Sequence, residues 1–478
     1  MMRTLMAGLA MLALAPCAAA QETEITFTAQ SGESVVAYEG RFDVPESRED
    51  PDSRMLSLAY VRFPATGSDP GSPIVYLSGG PGGSGIGTAR GRRFPLFMAM
   101  REFGDVIALD QRGTGDSNDI ERCVSSVSIP DAEAITDDEY ADAYRAAAEE
   151  CRAVWIGQGV DIEAYTTVES AHDLSDLRRH LGADRVSLWG ISYGTHLALA
   201  AMRQMPGEID RVILASAEGL DQTVKLPSRT DAYFARLQDA VNTQPAAAAA
   251  YPDIAGLMRR VQSRLEAEPV LLQIPLEDGS IAPFLLQRRT MQEAASMLIA
   301  DPGSAAILLA LYASVDQGDY RLATGLLQRM HSPGEPIGLW GMSTAMDLAS
   351  GISDARLEQF EAEAATGLVG PYLNAPMPQI RGVWDGFDLG EDFRQPPVSD
   401  IPTLLLTGTL DGRTYPEGQI EAVSGLTRVT RITVENAGHN LFMTSPEVGE
   451  AMARFMRGQS PVGDTITVEL PDFTELPF

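Results

Sequence analysis

The sequence is poor in the residues that build metal centres and disulfide frameworks. Only 3 cysteines and 5 histidines occur in 478 residues, and they are scattered, so no spacing typical of a zinc site is present. We therefore expect no metal and no cofactor. Cys17 lies in an N-terminal leader. The remaining pair, Cys123 and Cys151, is expected to form a disulfide in an oxidising compartment.

Positive charge is also scarce. The chain has 36 Lys and Arg residues against 66 Asp and Glu residues, a formal net charge of −30. Such a chain repels phosphate backbones and anionic lipid headgroups, so we expect no nucleic-acid partner and no attachment to a membrane surface. No apolar run beyond the N-terminus is long enough for a membrane span.

The first twenty residues have the pattern of a signal peptide. An arginine precedes the apolar run from Leu5 to Ala15, which is too short to cross a bilayer comfortably, and Ala18 to Ala20 form a small-residue cleavage site. The sequence therefore predicts a secreted or periplasmic protein whose mature chain begins at Gln21. Cys17 leaves a lipid anchor as an alternative, although Pro16 stands where a lipobox has a small residue.

Short apolar segments alternate with helical patterns over the first half of the chain. Ile74–Leu77, Val106–Leu109 and Val186–Trp189 are continuous apolar runs, typical of strands buried on both faces. The alternation predicts an α/β fold with a mostly parallel sheet and crossover helices. Further along, helical patterns dominate around one strand-like piece near Val270–Ile274, and strands return at Thr403–Leu406. We predict a signal peptide (1–20), a core (21–221), an inserted helical cap (222–395) and a second core part (396–478).

A candidate nucleophile lies in the segment Gly190-Ile191-Ser192-Tyr193-Gly194, which matches the G-x-S-x-G pattern. The segment follows a predicted strand and precedes a helical run, which is the strand–turn–helix setting of a nucleophile elbow. The serine backbone of such an elbow is strained, and a Cβ at either flanking position would collide with a neighbouring element. The pattern therefore predicts that Ser192 is a catalytic nucleophile.

A serine nucleophile needs a base and a third group that orients the base. In elbow-bearing α/β folds the chain order is serine, then acid, then histidine. His439 follows the predicted strand Val429–Val434 and is the expected base. Asp411 follows the strand Thr403–Leu406 and is the expected acid. The alternatives for the acid are Glu435, Asp385 and Asp388, and the histidines expected to be structural are His172, His180 and His196.

A glycine-rich loop, Ser78–Gly85, follows the strand Ile74–Leu77. Backbone N–H groups in such a loop can stabilise the oxyanion of acyl transfer. We expect Gly80 to donate one N–H group and Tyr193, the residue after the nucleophile, to donate the other. A phosphate-binding loop is the competing interpretation, but the G-K-[ST] ending is missing. The turn Asp110–Ser117 is expected to support the site.

Together these segments resemble the prolyl aminopeptidase and tripeptidyl aminopeptidase family of α/β-hydrolase serine peptidases. The resemblance implies an α/β-hydrolase fold with Ser192, Asp411 and His439 at the triad positions. It also implies removal of residues from peptide N-termini, for which an acidic group must hold the substrate ammonium. Ser78 departs from the prolyl enzymes, which usually carry histidine there. The matching segments are Gly79–Gly83, Asp110–Gly113, Gly190–Thr195, Asp411 and His439.

Glu218 is the candidate for the ammonium site. It follows the strand Val212–Leu214 by a few residues, which places it on the sheet edge expected to carry Ser192 and Asp411. Its alternative role is a solvated loop glutamate. The sequence thus predicts an aminopeptidase that acts on short peptides through an acyl-enzyme on Ser192. A carboxylesterase with the same triad and a non-catalytic binding protein on a hydrolase scaffold are the alternatives.

Overall fold

A computed structural model describes residues 22–276, 278–330 and 332–476. The predicted signal peptide, residues 1–20, lies outside the described residues. Within them, no helix combines the length and the apolar character that a membrane span requires.

The strands follow the apolar runs of the sequence and extend several of them. The elbow strand, predicted to stop at Trp189, continues to Ser192, so the nucleophile itself ends the strand. The strands are β1 Glu22–Thr28, β2 Ser34–Pro45, β3 Met55–Phe63, β4 Ile74–Leu77, β5 Val106–Leu109, β6 Cys123–Val124, β7 Val186–Ser192, β8 Ile209–Ala217, β9 Val270–Pro275, β10 Ile281–Leu286, β11 Gly338–Leu339, β12 Thr403–Gly408, β13 Val429–Glu435 and β14 Thr465–Thr467.

Ten of these strands form one sheet in the order β1-β2-β3-β5-β4-β7-β8-β12-β13-β14. The pairings among β1, β2, β3 and β5 are antiparallel, and the pairings from β5 through β4 to β14 are parallel. Because parallel strands end at the same edge, β7, β12 and β13 bring the residues that follow them to one side of the sheet. Ser192, Asp411 and His439 all lie at or just beyond these strand ends.

Helices lie on both faces of the sheet and fill most of the segment between β8 and β12. They are α1 Gly85–Arg90, α2 Phe94–Met100, α3 Asp137–Gly157, α4 Thr167–His180, α5 Tyr193–Gln204, α6 Pro227–Asn242, α7 Pro245–Ala250, α8 Ile254–Ala267, α9 Arg288–Leu298, α10 Pro302–Asp316, α11 Arg321–Met330, α12 Gly341–Ser350, α13 Asp354–Ala364, α14 Met377–Ile380, α15 Gly390–Phe393, α16 Pro416–Ala422 and α17 Pro446–Met456.

The two faces of the sheet bury separate cores, because successive strand side chains point to opposite faces. On β7, Leu188 joins a core that includes Leu197 of α5, whereas Trp189 packs on the other face with Phe97 of α2. A third core lies mainly in the segment predicted as the cap and holds residues of α6, α8, α9 and α10, together with Tyr140, Leu410, Tyr415 and Phe473 from outside it. Two-sided burial explains why the parallel strands read as unbroken apolar runs.

The segment between β8 and β12 is mainly helical, but it is less uniform than the sequence indicated. The strand-like piece near Val270 pairs with a second strand, Ile281–Leu286, in an antiparallel hairpin. The expectation of a single strand there was wrong, because a turn at Gly279, with φ of +83°, reverses the chain. The cap boundaries at residues 222 and 395 stay a prediction.

A disulfide joins Cys123 of β6 to Cys151 of α3. Strand β6 also pairs with β11, where Leu339 lies opposite Cys123. Helix α12 begins two residues after Leu339. The disulfide therefore fixes β6, which pairs with β11 just before α12. This pairing positions the start of α12, and α12 contributes side chains to the candidate site.

Candidate active site

Ser192 sits at a sharp turn between β7 and α5, with φ of 56° and ψ of −130°. A non-glycine residue at positive φ stores strain, which persists only where the surroundings enforce it. The two flanking glycines are part of that enforcement. A Cβ on Gly190 would lie 2.6 Å from the Gly194 carbonyl oxygen, and one on Gly194 would lie 2.1 Å from the Leu77 carbonyl oxygen. The Ser192 side chain makes no capping bond to its own helix.

Asp411 and His439 are in direct contact. Nδ1 of His439 lies 3.1 Å from each carboxylate oxygen of Asp411, which is fully buried. The carboxylate also accepts hydrogen bonds from the backbone N–H groups of Arg413 and Thr414 and from the Thr414 hydroxyl. Burial acts to raise the pKa of Asp411, but the charge and hydrogen bond of His439 and the backbone donors outweigh it, so the pKa is lowered. Asp411 is thus held as a carboxylate.

The strand register places Ser192 next to the loop that carries His439. Ser192 of β7 lies opposite Ala217 of β8, and the adjacent Ser216 donates a hydrogen bond of 2.8 Å to the carbonyl oxygen of His439. The loop that carries the histidine is therefore fastened to the strand beside the serine. Since Asp411 engages Nδ1 of His439, Nε2 is the ring nitrogen that remains to accept a proton.

The glycine-rich loop packs directly on the elbow. A Cβ on Gly79 would lie 3.1 Å from the Cβ of Ser192, and Gly80 has φ of +129°, a conformation that favours glycine. The buried Asp110 holds the far end of the loop, accepting hydrogen bonds from the Ser84 hydroxyl at 2.6 Å and the Ile86 N–H at 3.0 Å. The turn that begins at Asp110 therefore shapes the loop, in keeping with its predicted supporting role.

The two predicted oxyanion donors lie on either side of Ser192. Tyr193 is the first residue of α5, so its N–H group has no partner within the helix. Gly80 follows Gly79, which packs on the Ser192 side chain. The assignment of Gly80 and Tyr193 as donors stays a prediction, and this arrangement supports it.

Glu218 lies near the elbow but is already paired. Its side chain is buried and forms an ion pair of 2.9 Å with the buried Lys225, while its backbone N–H donates to the Thr195 hydroxyl in α5. Burial lowers the pKa of Lys225, and the charge of Glu218 opposes that shift. The sequence placed Glu218 on the correct sheet edge but gave no indication of its cation.

A second carboxyl, Asp347 of α12, lies next to this pair. Four residues before it on the helix, Ser343 donates a hydrogen bond of 2.9 Å to the Pro81 carbonyl oxygen, and Met346 contacts the Tyr193 hydroxyl. Burial, and then the charge of Glu218, raise the pKa of Asp347 to about 8, although Lys225 acts against them. A carboxyl with so high a pKa is short of positive charge.

Four of the other acids and histidines considered from the sequence have partners outside the candidate triad. The Glu435 carboxylate accepts a hydrogen bond from Thr467, and Asp388 is paired with Arg394. His180 contacts the Tyr60 hydroxyl, and the buried His196 lies 3.1 Å from both the Gly219 carbonyl oxygen and the Ser350 hydroxyl. No group of three or more His, Cys, Asp or Glu residues suited to a metal ion occurs in the described part of the chain.

Sequence reasoning missed several side chains of the candidate site, among them Thr414, Lys225 and Asp347. Thr414 had a local signal, because a threonine three residues after an aspartate can bond to its carboxylate. Lys225 follows Glu218 by seven residues, but no pattern in the sequence pairs the two. Asp347 lies more than one hundred residues further along the chain and joins them only because α12 packs against the elbow helix.

Comparison with known proteins places these features in a wider group. A family profile described as the alpha/beta hydrolase fold matches residues 72–297. The serine protease Hip1 of Mycobacterium tuberculosis (strain ATCC 25618 / H37Rv) is 33% identical over 184 residues, which are 37% of this chain and 35% of that protein. The tripeptidyl aminopeptidase of Streptomyces coelicolor is 30% identical over 193 residues, 37% of this chain and 34% of that protein.

A probable proline iminopeptidase of the same Streptomyces species is 29% identical over 182 residues, covering 37% of this chain and 44% of that protein. Each match thus spans less than half of the relative's length. The residues matched by the family profile include β4, the glycine-rich loop and the elbow, and the structure places β4 and β7 side by side in the sheet. The chain has the α/β-hydrolase fold, and its sequence is similar to the serine peptidases of that fold.

Proposed function

We propose that this protein is a serine peptidase that cleaves peptides near a free N-terminus through an acyl-enzyme on Ser192. The observation that carries the proposal is the contact of His439 with the buried Asp411 on the sheet edge where Ser192 occupies a strained elbow. The same edge carries the buried Glu218–Lys225 pair and Asp347, and these two carboxyl groups are suited to an ammonium group.

The chemistry follows from the arrangement of these groups. The Ser192 oxygen attacks the scissile carbonyl carbon while Nε2 of His439 takes the hydroxyl proton, and Asp411 stabilises the resulting imidazolium. The N–H groups of Gly80 and Tyr193 stabilise the oxyanion. The imidazolium then returns the proton to the leaving amine as the C–N bond breaks. A water molecule, activated by the same histidine, hydrolyses the ester and restores Ser192.

The acidic cluster favours a peptidase that recognises a free amine over an esterase. The carboxylate of Glu218 is already neutralised by Lys225, so it cannot hold a substrate cation alone. Among the described residues, Asp347 forms no ion pair comparable to that of Glu218 with Lys225, and no hydrogen bond contributes to its pKa. An incoming ammonium would supply the missing positive charge and allow Asp347 to ionise. We therefore propose that Asp347 holds the amine and that the nearby carboxylate of Glu218, although paired with Lys225, assists it.

Matched substrates test this proposal. We expect the wild-type protein to cleave a short free-amine peptide amide and to cleave its N-acetylated twin at least about tenfold more slowly, because a charge-assisted hydrogen bond is worth roughly 1.5–3 kcal/mol. Asp347→Asn and Glu218→Gln should lower kcat/KM for the free-amine peptide by a similar factor and leave a neutral acyl ester nearly unaffected. Product masses and initial rates provide the measurement.

The control is Asp354→Asn, which removes an exposed carboxylate at the start of α13 and should change none of these rates. Equal rates on the free and acetylated peptides would contradict the proposed amine preference. Ester hydrolysis without peptide cleavage would favour the carboxylesterase.

The proposed location is outside the cytoplasm, as the predicted signal peptide implies, and the Cys123–Cys151 disulfide supports an oxidising compartment.

The raised pKa of Asp347 also predicts a pH-dependent cost to stability. In the folded chain Asp347 keeps its proton up to about pH 8, whereas an unfolded aspartate loses it near pH 3.9. The unfolded state therefore binds fewer protons between these values, and stability falls as pH rises across this window. The Tm of Asp347→Asn should exceed that of wild type by a margin that grows from pH 5 to pH 8 and then levels off. A margin that stays constant with pH would contradict this assignment.

A further inference from the structure

The loop that carries His439 is held by the segment that links α9 to α10. The His439 N–H group donates a hydrogen bond of 2.8 Å to the Ala300 carbonyl oxygen. The next residue, Asn440, is bound twice by Asp301: its backbone N–H donates to Oδ1 at 3.1 Å, and its side-chain amide donates to Oδ2 at 2.6 Å. Both oxygens of the Asp301 carboxylate are thus directed at the residue beside the histidine.

Two glycines allow this segment to approach both loops of the candidate triad. A Cβ on Gly438, the residue before His439, would lie 2.5 Å from the Ala300 carbonyl oxygen. A Cβ on Gly412, the residue after Asp411, would lie 2.1 Å from the Ile299 carbonyl oxygen. The linking segment therefore packs backbone to backbone against the acid loop and the base loop at once.

Asn440 also bonds to the segment between α1 and α2. Its side-chain oxygen accepts a hydrogen bond of 3.1 Å from Arg93, whose guanidinium lies over the ring of Phe442 and donates to the Tyr76 hydroxyl. The Asn440 amide is thus fixed at both ends, by Arg93 through its oxygen and by Asp301 through its nitrogen. Such a two-sided attachment leaves the amide one orientation.

Asp301 departs from the behaviour usual at its position. It immediately precedes α10, where an aspartate ordinarily accepts a hydrogen bond from an N–H of its own helix. Its side chain makes no such bond. By contrast, Asp253 at the start of α8 does cap its helix, accepting from the Gly256 N–H at 2.8 Å. Because the Asp301 carboxylate does not stabilise its own helix, its hydrogen bonds to Asn440 indicate a role at the His439 loop instead.

We propose that Asp301 is a positioning residue for His439. By holding Asn440 it fixes the loop that presents the imidazole to Asp411 on one side and Ser192 on the other. The inference rests on the triad of the proposed function but not on its preference for a free amine. Because misplacement of a reacting group by about 1 Å can cost on the order of 100-fold in rate, loss of this attachment should lower kcat rather than raise KM.

A reciprocal exchange of the two side chains tests the proposal. In Asp301→Asn an NH2 group faces the NH2 group of Asn440, whose oxygen is already bonded to Arg93. In Asn440→Asp two carboxylates face each other. Each single variant should therefore lose about 10- to 100-fold in kcat. The double variant, D301N/N440D, restores one donor opposite one acceptor and keeps an oxygen for Arg93. It should recover most of the rate. Asp253→Ala, which removes a true helix cap, should lower the Tm and leave kcat per active site unchanged.

A second readout does not depend on any substrate. The low-field proton resonance of a histidine N–H bonded to a carboxylate reports the His439–Asp411 contact, and His439→Ala assigns it. We expect this signal to broaden or shift in each single variant and to return in the exchange variant. Singles with wild-type kcat and an unchanged resonance would overturn the positioning role, as would an exchange variant no better than the singles. A wild-type protein that cleaves neither peptide nor ester would overturn the proposed function alone, because the resonance still tests the attachment.

Discussion

Replacing Ser192 by alanine is expected to lower kcat roughly 10⁶-fold while leaving the fold intact. The hydroxyl makes no capping bond to α5, so its loss should cost little stability. The strained elbow is enforced by Gly190 and Gly194, not by the serine side chain. All covalent chemistry of the proposed mechanism passes through this one oxygen.

The measurement is the steady-state rate on the peptide amide and on the ester, with thermal unfolding as the check on folding. The free-amine peptide should still bind, because the proposed amine site at Asp347 is untouched. A variant that retains activity within about tenfold of wild type would contradict the nucleophile assignment. Equal Tm values for the two proteins would show that the lost activity is chemical in origin.

The second large effect is expected at the acid. Asp411→Asn should lower kcat by roughly 10⁴-fold, because the amide cannot stabilise the imidazolium and favours the wrong tautomer of His439. Asp411 is fully buried and accepts bonds from the Arg413 and Thr414 N–H groups, so its neutral replacement also leaves donors less well satisfied. The Tm of this variant should fall, unlike that of Ser192→Ala.

Coupling between the residues distinguishes a shared step from independent effects. His439→Ala combined with Ser192→Ala should be about as slow as either single variant, since the residues act as one unit. Multiplicative losses in the double variant would mean that the two residues assist different steps. The same comparison between Asp411→Asn and His439→Ala checks that the acid acts through the histidine.

Much of the core could be predicted from the sequence because its signals are local. The buried strand runs at Ile74–Leu77 and Val106–Leu109 have the predicted bounds, since burial on both faces leaves no alternation to misread. The elbow was predictable because glycines are needed on steric grounds at Gly190 and Gly194. Asp411 and His439 could be singled out because each follows a strand that ends at one sheet edge.

The features that were missed depend on contacts between distant segments. The pairing of β6 with β11 spans two residues on each strand, which is too short for any periodicity. Burial, and then the charge of Glu218, raise the pKa of Asp347. Glu218 lies far from Asp347 in sequence, and the burial arises only when the helices pack. The role inferred for Asp301 depends on a loop more than one hundred residues away. Such residues carry no local pattern, so only the packed structure identifies them.

Covalent labelling tests the central claim most directly. A fluorophosphonate should form one adduct on the wild-type protein, and peptide mass mapping should place that adduct on Ser192. Labelling should be absent in Ser192→Ala and slow in His439→Ala, because the serine then lacks its base. An adduct on another residue, or equal labelling of the wild-type protein and Ser192→Ala, would contradict the account.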